Sequence, residues 1–255
     1  MTALTGQELE LSDYLPHLVA AADLRPGESV VDVGCGTGGP TVAAAALAAP
    51  GPVIGIDLWA SSVATARARM PDDLTNVAYV VADAQTHKLA TAPVDVVISR
   101  FGLMFFDDPA AAFANLASWL RPSGRLAALV WQPQAVNPWI LETNRALTGD
   151  PGAGLTDCSP FSLGERELVC GLLARAGFTY LDVTAVHEDV HFGATVPDAE
   201  DFVLSFASSQ DALARLTPGG AEQARRRLTR MLTRYVQADG MVSLPSAAWL
   251  VRART

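Results

Sequence analysis

Residues 30–39 of the chain are Val30-Val31-Asp32-Val33-Gly34-Cys35-Gly36-Thr37-Gly38-Gly39. A short apolar run precedes the glycines, and an alanine-rich segment follows them from Pro40 and Thr41. This order predicts a buried strand, a tight turn and then a helix. Glycines in such a turn adopt positive φ and let a ligand approach the main chain closely. The free N–H groups of the turn and the helix N-terminus favour a negatively charged or polar group on that ligand.

The glycine spacing alone is compatible with two kinds of nucleotide ligand, and Asp32 distinguishes them. The run satisfies G-x-G-x-x-G, the dinucleotide fingerprint, through Gly34, Gly36 and Gly39, and it satisfies G-x-G-x-G through Gly38. Asp32 stands two residues before the first glycine, where its charge repels a pyrophosphate and attracts an ammonium group. The pattern therefore favours a nucleotide-like ligand with a positive charge, over a dinucleotide and over a turn that binds nothing.

Four later segments extend this pattern in order along the chain. They are Val53-Ile54-Gly55-Ile56-Asp57-Leu58, Val80-Val81-Ala82-Asp83-Ala84, Val94-Asp95-Val96-Val97-Ile98-Ser99-Arg100-Phe101-Gly102-Leu103-Met104-Phe105-Phe106 and Leu120-Arg121-Pro122-Ser123-Gly124-Arg125-Leu126. With the lead-in from Leu24, residues 24–132 resemble a class I S-adenosylmethionine-dependent methyltransferase, of the small-molecule type called methyltransferase type 11. The resemblance implies that S-adenosylmethionine is the cofactor and that residues 24–132 form the cofactor-binding core.

The resemblance also implies roles for individual residues. Asp57 would accept hydrogen bonds from both ribose hydroxyls, and Leu58 would lie along the adenine face. Asp83 would accept from the adenine amino group, and Ala84 would offer its backbone N–H to the adenine edge. The full set of predicted cofactor-binding residues is Asp32, Gly34, Cys35, Gly36, Gly38, Asp57, Leu58, Asp83, Ala84, Ser99, Arg100 and Phe101.

Several of these residues have structural alternatives. Asp57 also suits the N-cap of a helix beginning near Ala60, and Asp83 also suits an exposed turn. Arg100, at the end of the fourth strand and beside the reacting sulfonium, would hold the methionine carboxylate or form a surface ion pair. Cys35 is interpreted as a structural residue, because the turn requires only a small side chain there.

Composition and periodicity predict one large α/β domain over residues 1–255. Half of the chain is apolar, which is enough to bury a full core. Strands alternate with helices over residues 30–131, the pattern of a doubly wound, mostly parallel sheet. The resemblance implies a seven-stranded, Rossmann-like methyltransferase fold whose last strand is antiparallel.

Residues 193–239 break the alternation of strands and helices. They separate the last two predicted strands by far more than a hairpin requires, so we expect a helical insertion. Together with residues 1–20 and 133–160, we expect it to cap the carboxyl ends of the strands, where ligands bind in open α/β sheets. The alternative is an interface of a homodimer. Its arginine row, Arg226 with Arg230 and Arg234, is a solvated face or a dock for an acidic carrier.

Several classes of partner are disfavoured by the composition. The net charge of −9 argues against nucleic acid, whose phosphates require a basic face. The sequence contains neither an apolar run of membrane-spanning length nor a signal-peptide pattern, so we expect no membrane segment and a cytoplasmic protein. Cys35, Cys158 and Cys170 are too scattered for a disulfide framework or a zinc site, and we expect no metal.

Methyl transfer from a sulfonium is an in-line displacement, so alignment and water exclusion supply much of the rate. A base is needed only when the acceptor is a weak nucleophile. Among the four histidines, His191 lies near the carboxyl end of its predicted strand and is the predicted base. The alternative is a histidine without a catalytic role. The uncharged residues 101–106 favour an apolar small-molecule acceptor.

Three functions are compatible with these patterns. The first is methyl transfer from S-adenosylmethionine to a small, apolar metabolite. The second is a nicotinamide-dependent oxidoreductase, which the acidic residues disfavour, as does the lack of a Tyr-x-x-x-Lys pair, since Lys88 is the only lysine. The third is a protein of the same fold that binds the cofactor but acts as a cyclase or a binding module.

Overall fold

The computed structural model describes residues 10–150 and 159–255. Cys158 and residues 1–9 and 151–158 of the predicted cap segments therefore lie outside the described residues. The strands are β1 (Val30–Val33), β2 (Val53–Asp57), β3 (Val77–Val81), β4 (Val94–Arg100), β5 (Leu120–Trp131), β6 (Tyr180–Gly193) and β7 (Val242–Arg254). The α-helices are α1 (Tyr14–Ala22), α2 (Gly39–Ala48), α3 (Ala60–Arg69), α4 (Pro109–Trp119), α5 (Pro138–Thr148), α6 (Arg166–Arg175), α7 (Val196–Ser205), α8 (Ala207–Ala214) and α9 (Pro218–Thr233).

The strands form one sheet with the order β3-β2-β1-β4-β5-β7-β6. The first five strands pair in parallel, and β7 runs antiparallel to β5. The predicted doubly wound, mostly parallel seven-stranded sheet with an antiparallel final strand is confirmed. The strand order reverses direction at β1 and β4, and ligands of open α/β sheets bind outside the carboxyl ends of the strands at such a point.

Burial explains why the central strands are apolar. All four residues of β1 are buried, and the last eight residues of β5 are buried as well. Parallel strands covered by helices on both faces are expected to be continuously hydrophobic. Asp32 is the charged exception in β1, and it is fully buried.

The helix starts follow the proline and cap signals of the sequence. Pro40, Pro109 and Pro138 each lie in the first turn of their helices, where proline suits the backbone. The side chain of Asp108 caps α4 by accepting from the N–H of Ala111. None of the helices in the described residues is long and apolar enough to cross a membrane.

The chain divides into two compact units. The first contains residues 14–132, 159–186 and 248–255, and therefore the glycine turn and strands β1 to β5. Of the described residues, the second contains 10–13, 133–150 and 187–247. Residues 14–20, which the sequence prediction assigned to the cap, belong to the first unit, where the side chains of Tyr14 and Leu18 are buried.

The second unit contains the predicted helical insertion. Helices α7, α8 and α9 lie between β6 and β7, and Leu228 of α9 is fully buried. Arg227 of α9 donates to the carbonyl oxygens of Ala146 and Leu147 at 2.7 and 3.0 Å, which caps the C-terminus of α5. Helix α9 is therefore held against α5 by apolar packing and by the partly buried side chain of Arg227.

Candidate functional site

The glycine turn after β1 has the backbone conformation that its composition predicts. Gly34, Gly36 and Gly38 have φ of +69°, +53° and +95°, values that residues other than glycine rarely adopt. The N–H groups of Gly34 and Cys35 donate to the carbonyl oxygen of Ile56 at 2.8 and 3.0 Å. The turn is therefore held against the end of β2.

Two glycines of this turn have opposite surroundings. A Cβ atom at Gly34 would lie 2.8 Å from the Cα atom of Gly102, so the loop after β4 packs directly against the turn. A Cβ atom at Gly36 would meet nothing within 4 Å. One side of the turn is thus closed by backbone, and the side at Gly36 is open space that a ligand can fill.

Asp57 links β2 to the glycine turn. Its side chain is 9% exposed, and its two oxygens accept from the N–H groups of Gly36 and Trp59, both at 2.8 Å. The N-cap of α3 is Trp59 and lacks a side-chain cap, so the structure does not use Asp57 in the predicted alternative role of N-cap. A carboxylate has about four acceptor positions, which leaves Asp57 capacity for two hydroxyl donors.

Asp32 is the most unusual charge in the site. It is fully buried, and its Oδ2 accepts from Thr41 Oγ1 at 2.6 Å. No described residue donates to its Oδ1, and buried polar atoms almost always have a partner. Burial raises the pKa of Asp32 to about 6, although the Thr41 hydrogen bond and the charge of Arg100 oppose the increase. The arrangement is suited to a cationic donor that completes the hydrogen bonding of Asp32.

The predicted adenine segment follows β3. Asp83 is exposed and its Oδ1 accepts from the N–H of Gln85 at 2.9 Å, whereas Ala84 is buried. The side chain of Asn115, from α4, donates to the carbonyl oxygens of Ala84 and His87 at 2.9 and 2.8 Å. Sequence reasoning missed Asn115, because its contacts lie about thirty residues away along the chain and have no local signal.

An apolar edge lies beside the carboxyl ends of β2 and β3. Leu58 and Trp59 are 61% and 68% exposed, and Val81 is 45% exposed. Asp57 pairs with Val81 in the sheet, so Leu58 and Trp59 directly follow the end of β2 beside the end of β3. This edge has the character needed for a planar base, as the role predicted for Leu58 requires.

Ser99 has a different environment from the other predicted residues. It is fully buried, its hydroxyl donates to the carbonyl oxygen of Val33 at 2.7 Å, and it accepts from the N–H of Gly102 at 3.3 Å. Its side chain thus holds the end of β4 against the end of β1. Arg100 lies near enough to Asp32 for its charge to lower the pKa of that carboxyl.

Phe101 is the last predicted residue of this strand end. Its φ is +60°, a left-handed value that is uncommon for a bulky residue. Its ring stacks on Trp131 with centroids 3.9 Å apart and meets Tyr14 edge-on at 5.0 Å. These three buried rings form an aromatic cluster at the carboxyl ends of β4 and β5.

The thiol of Cys35 is buried in the glycine turn. Burial and the neighbouring carboxylates of Asp32 and Asp57 raise the pKa of Cys35 above its ordinary range. A thiol in that state is inert. Among the described residues, no group of three or more His, Cys, Asp and Glu side chains is arranged to hold a metal ion.

His191 lies in the second unit with both ring nitrogens in hydrogen bonds. Its Nδ1 is 2.7 Å from Ser243 Oγ and its Nε2 is 2.8 Å from Asp13 Oδ2. Because the Asp13 carboxylate only accepts, Nε2 carries a proton and donates it; in the neutral ring, Nδ1 then accepts from the Ser243 hydroxyl. Both ring nitrogens of His191 therefore have hydrogen-bond partners in the structure. A methyl acceptor would have to displace the Ser243 hydroxyl before its proton could reach Nδ1.

The predicted arginine row is partly engaged in local ion pairs. Arg226 contacts Glu222 at 2.6 Å within α9, and Arg234 contacts Glu142 of α5 at 2.8 Å. Exposed pairs of this kind contribute little stability. They nevertheless reduce the positive charge that the row presents to an acidic partner.

Comparison with known protein families finds a match for the part of the chain that contains the glycine turn and most of the parallel strands. A family model described as a methyltransferase domain matches residues 31–128. The chain is similar to nocamycin O-methyltransferase of Saccharothrix syringae, with 32% identity over 203 residues, which cover 73% of this chain and 70% of that protein.

Solved structures resemble the fold along most of the chain. A provisionally assigned methyltransferase from Bacillus halodurans C-125 has a TM-score of 0.64 at 19% identity, covering 95% of this chain and 98% of that one. Phosphoethanolamine N-methyltransferase 2 of Haemonchus contortus, solved with phosphomonomethylethanolamine and S-adenosylhomocysteine, has a TM-score of 0.57 at 19% identity over 96% and 52% of the two chains. The [4+2]-cyclase SpnF has a TM-score of 0.54 at 23% identity over 95% and 80%. At these identities the likeness concerns the fold.

Proposed function

We propose a function from one premise: this chain belongs to the class I S-adenosylmethionine-dependent methyltransferases. As a member of that family it is an enzyme, and its cofactor is S-adenosylmethionine. The reaction we propose is methyl transfer to a small, mainly apolar metabolite by in-line displacement. The observation that carries this proposal is the buried oxygen of Asp32, to which no described residue donates, next to a turn that is open at Gly36.

The residues of the first unit fit this cofactor. Asp32 would hold the ammonium group, because a buried carboxylate oxygen without a donor is costly and a cation satisfies it. Asp57 would accept the ribose hydroxyls through the lone pairs that its two backbone partners leave. Asp83 and Ala84 would meet the adenine edge, and Asn115 fixes the segment that contains Ala84.

The chain itself contributes alignment and a dry environment. When bound, the cofactor supplies a methyl group on a sulfonium, which the acceptor atom attacks in line with the departing sulfur. Positioning of this kind supplies on the order of 7–11 kcal/mol in favourable cases. The cluster of Tyr14, Phe101 and Trp131 is buried and apolar, so it excludes water from the strand ends of the first unit.

An apolar acceptor is supported by the residues after β4. Phe105 is 58% exposed, although large aromatic side chains are usually buried. Residues 101–106 contain no charged side chain. An exposed Phe in this position is available to an apolar ligand. The similarity to nocamycin O-methyltransferase makes an oxygen atom the first acceptor to test.

His191 stays a prediction as the general base. A base is needed when the acceptor is a neutral hydroxyl or an acidic C–H. We expect His191→Ala to reduce turnover of a hydroxyl acceptor, and we use His187→Ala, on the same strand, as the control. Normal turnover by His191→Ala would refute a catalytic role and leave His191 as a structural link between Asp13 and Ser243.

The second unit has two predicted roles, a cap for the acceptor and a homodimer interface. Sedimentation equilibrium distinguishes the two roles. If the protein is a monomer under conditions where it transfers methyl groups at the full rate, the second unit is not a homodimer interface. Charge reversal at Arg226 and Arg230 tests the minor hypothesis of an acidic carrier. Unchanged turnover in that variant would remove the carrier from consideration.

The proposed reaction is tested with S-adenosylmethionine that carries a deuterated methyl group. The enzyme is incubated with hydroxylated aromatic, polyketide and terpenoid acceptors, and products are analysed by mass spectrometry. We expect the label in an apolar product, together with an equimolar amount of S-adenosylhomocysteine. With Asp57→Ala we expect neither the labelled product nor S-adenosylhomocysteine. Label only in charged, polar acceptors would refute the acceptor class. An unlabelled, rearranged product would show a non-methylating role such as cyclisation.

A further inference from the structure

We propose that Thr41 is a positioning residue for the cofactor: its hydroxyl holds one oxygen of Asp32, so that the other oxygen is kept for the ammonium group. Thr41 is in the first turn of α2 and is fully buried. Its Oγ1 lies 2.6 Å from Asp32 Oδ2. The inference rests on cofactor binding in the first unit and adds a residue to which neither the glycine motif nor the family pattern gave a role.

The hydrogen bond is directional. A threonine hydroxyl has one proton to donate, and Asp32 Oδ2 receives it. This donor fixes the rotamer of the carboxylate and leaves Oδ1 as the oxygen without a donor among the described residues. With a valine at position 41, Asp32 would keep the smaller contribution of the backbone N–H of that residue, but it would lose the hydroxyl donor that orients its Oδ2.

The neighbouring strand makes room for this contact. Gly55 of β2 pairs with Asp32 of β1 in the sheet. A Cβ atom at Gly55 would lie 3.0 Å from Thr41 Oγ1 and 2.6 Å from the ring of Tyr79. The absence of a side chain at Gly55 therefore lets the Thr41 hydroxyl reach across to Asp32.

The electrostatic environment makes the hydroxyl important near neutral pH. Burial raises the pKa of Asp32 to about 6, and the negative charge of Asp57 adds to the increase. The Thr41 hydrogen bond and the positive charge of Arg100 oppose it. Cys35 is a further titratable neighbour, and its raised pKa keeps it neutral. Loss of the hydroxyl therefore raises the pKa of Asp32 further and reduces its ionised fraction at pH 7.

Two variants separate the hydroxyl from the shape of the side chain. Thr41→Val has nearly the same volume without the donor, and Thr41→Ser keeps the donor without the methyl group. The ligand is S-adenosylhomocysteine, which has the ammonium group, and affinity is measured by calorimetry between pH 5 and 7.5. Thr143→Val, in α5, is the matched control, because its buried hydroxyl donates only to backbone carbonyls of its own helix.

We expect Thr41→Val to bind S-adenosylhomocysteine about tenfold or more weakly at pH 7, the loss typical of a hydrogen bond to a charged group. The pH below which affinity declines should move upward from about 6. Thr41→Ser should stay within about threefold of the parent protein with an unchanged pH profile. In an Asp32→Asn background, Thr41→Val should have little further effect, because the two residues act as a unit.

Three results would overturn the proposal. They are an unchanged affinity and pH profile in Thr41→Val, an equal loss in Thr41→Ser, and full additivity with Asp32→Asn. If Thr41→Val does not fold, as judged by thermal unfolding, Thr41→Ala, which also lacks the donor, takes its place in the same comparisons with Thr41→Ser and Asp32→Asn. Failure of the parent protein itself to bind S-adenosylhomocysteine would instead refute the cofactor site, which separates that failure from this one.

Discussion

Alanine substitutions at three glycines test how the turn is built. Gly27, Gly34 and Gly36 all have left-handed φ, of +89°, +69° and +53°. Forcing a side chain into that region costs about 1–2 kcal/mol. A Cβ atom at Gly27 or Gly36 meets nothing within 4 Å, whereas at Gly34 it lies 2.8 Å from the Cα of Gly102. The steric conflict is thus confined to Gly34→Ala.

The conflict adds a calculable penalty. Backbone cannot move aside as a flexible side chain can, and overpacking typically costs about 1–3 kcal/mol. We therefore expect Gly34→Ala to lose about 2–5 kcal/mol of unfolding free energy, and Gly27→Ala and Gly36→Ala about 1–2 kcal/mol each. The reduced entropy of the unfolded chain offsets part of each loss. It acts equally in all three variants, so their differences are unaffected.

Urea unfolding and S-adenosylhomocysteine titration together separate stability from binding. Gly27→Ala and Gly36→Ala should unfold alike, but only Gly36→Ala should lose affinity, because its methyl group enters the open side of the turn. A Gly34→Ala variant no less stable than Gly27→Ala would contradict the steric conflict at Gly102. A Gly36→Ala variant that binds S-adenosylhomocysteine as tightly as the parent protein would contradict the open ligand side of the turn.

Three further predictions concern polar residues of the first unit. Arg125→Met should cost about 3–5 kcal/mol in urea unfolding, because the partly buried Glu28 would lose its partner at 2.6 Å and the carbonyl oxygens of Ala22 and Asp23 would lose their donor; a loss below about 1 kcal/mol contradicts this. Asp95 has a pKa lowered to about 2, since hydrogen bonds from Ser29 and Arg121 outweigh burial. Its contribution of about 2 kcal/mol is complete above pH 4 and is lost as the pH falls through 2, so Asp95→Asn should remove that component of acid unfolding; an identical acid profile would refute the assignment. Asn115→Ala should cost about 1–3 kcal/mol and weaken S-adenosylhomocysteine binding, because two carbonyl oxygens lose their donor; full affinity by calorimetry would show that it does not support the adenine segment.

Local patterns in the sequence predicted the sheet and the glycine turn. The strand before Gly34, the turn itself and the acid at Asp57 are contiguous signals, and each reports on its own segment. Their order along the chain then implied the doubly wound topology. Asp32 also carried its signal locally, because a charge in an apolar strand is conspicuous.

The contacts that complete the site have no such signal. Asn115 reaches Ala84 from α4, and the ring of Tyr14 meets Phe101 from α1, far away along the chain. Thr41 was visible only as the start of a helix, since its hydrogen bond to Asp32 depends on the packing of α2 against β1. Tertiary packing, which local propensity does not encode, determines these contacts.

The central claim is that the first unit binds S-adenosylmethionine through Asp57 and the glycine turn. Calorimetric titration with S-adenosylmethionine, S-adenosylhomocysteine and NADH tests it, in the parent protein, in Asp57→Ala and in the exposed control Asp72→Ala. We predict binding of the first two ligands by the parent and by Asp72→Ala, a strong loss in Asp57→Ala, and no binding of NADH. Binding of NADH alone, or equal affinity in Asp57→Ala, would contradict it.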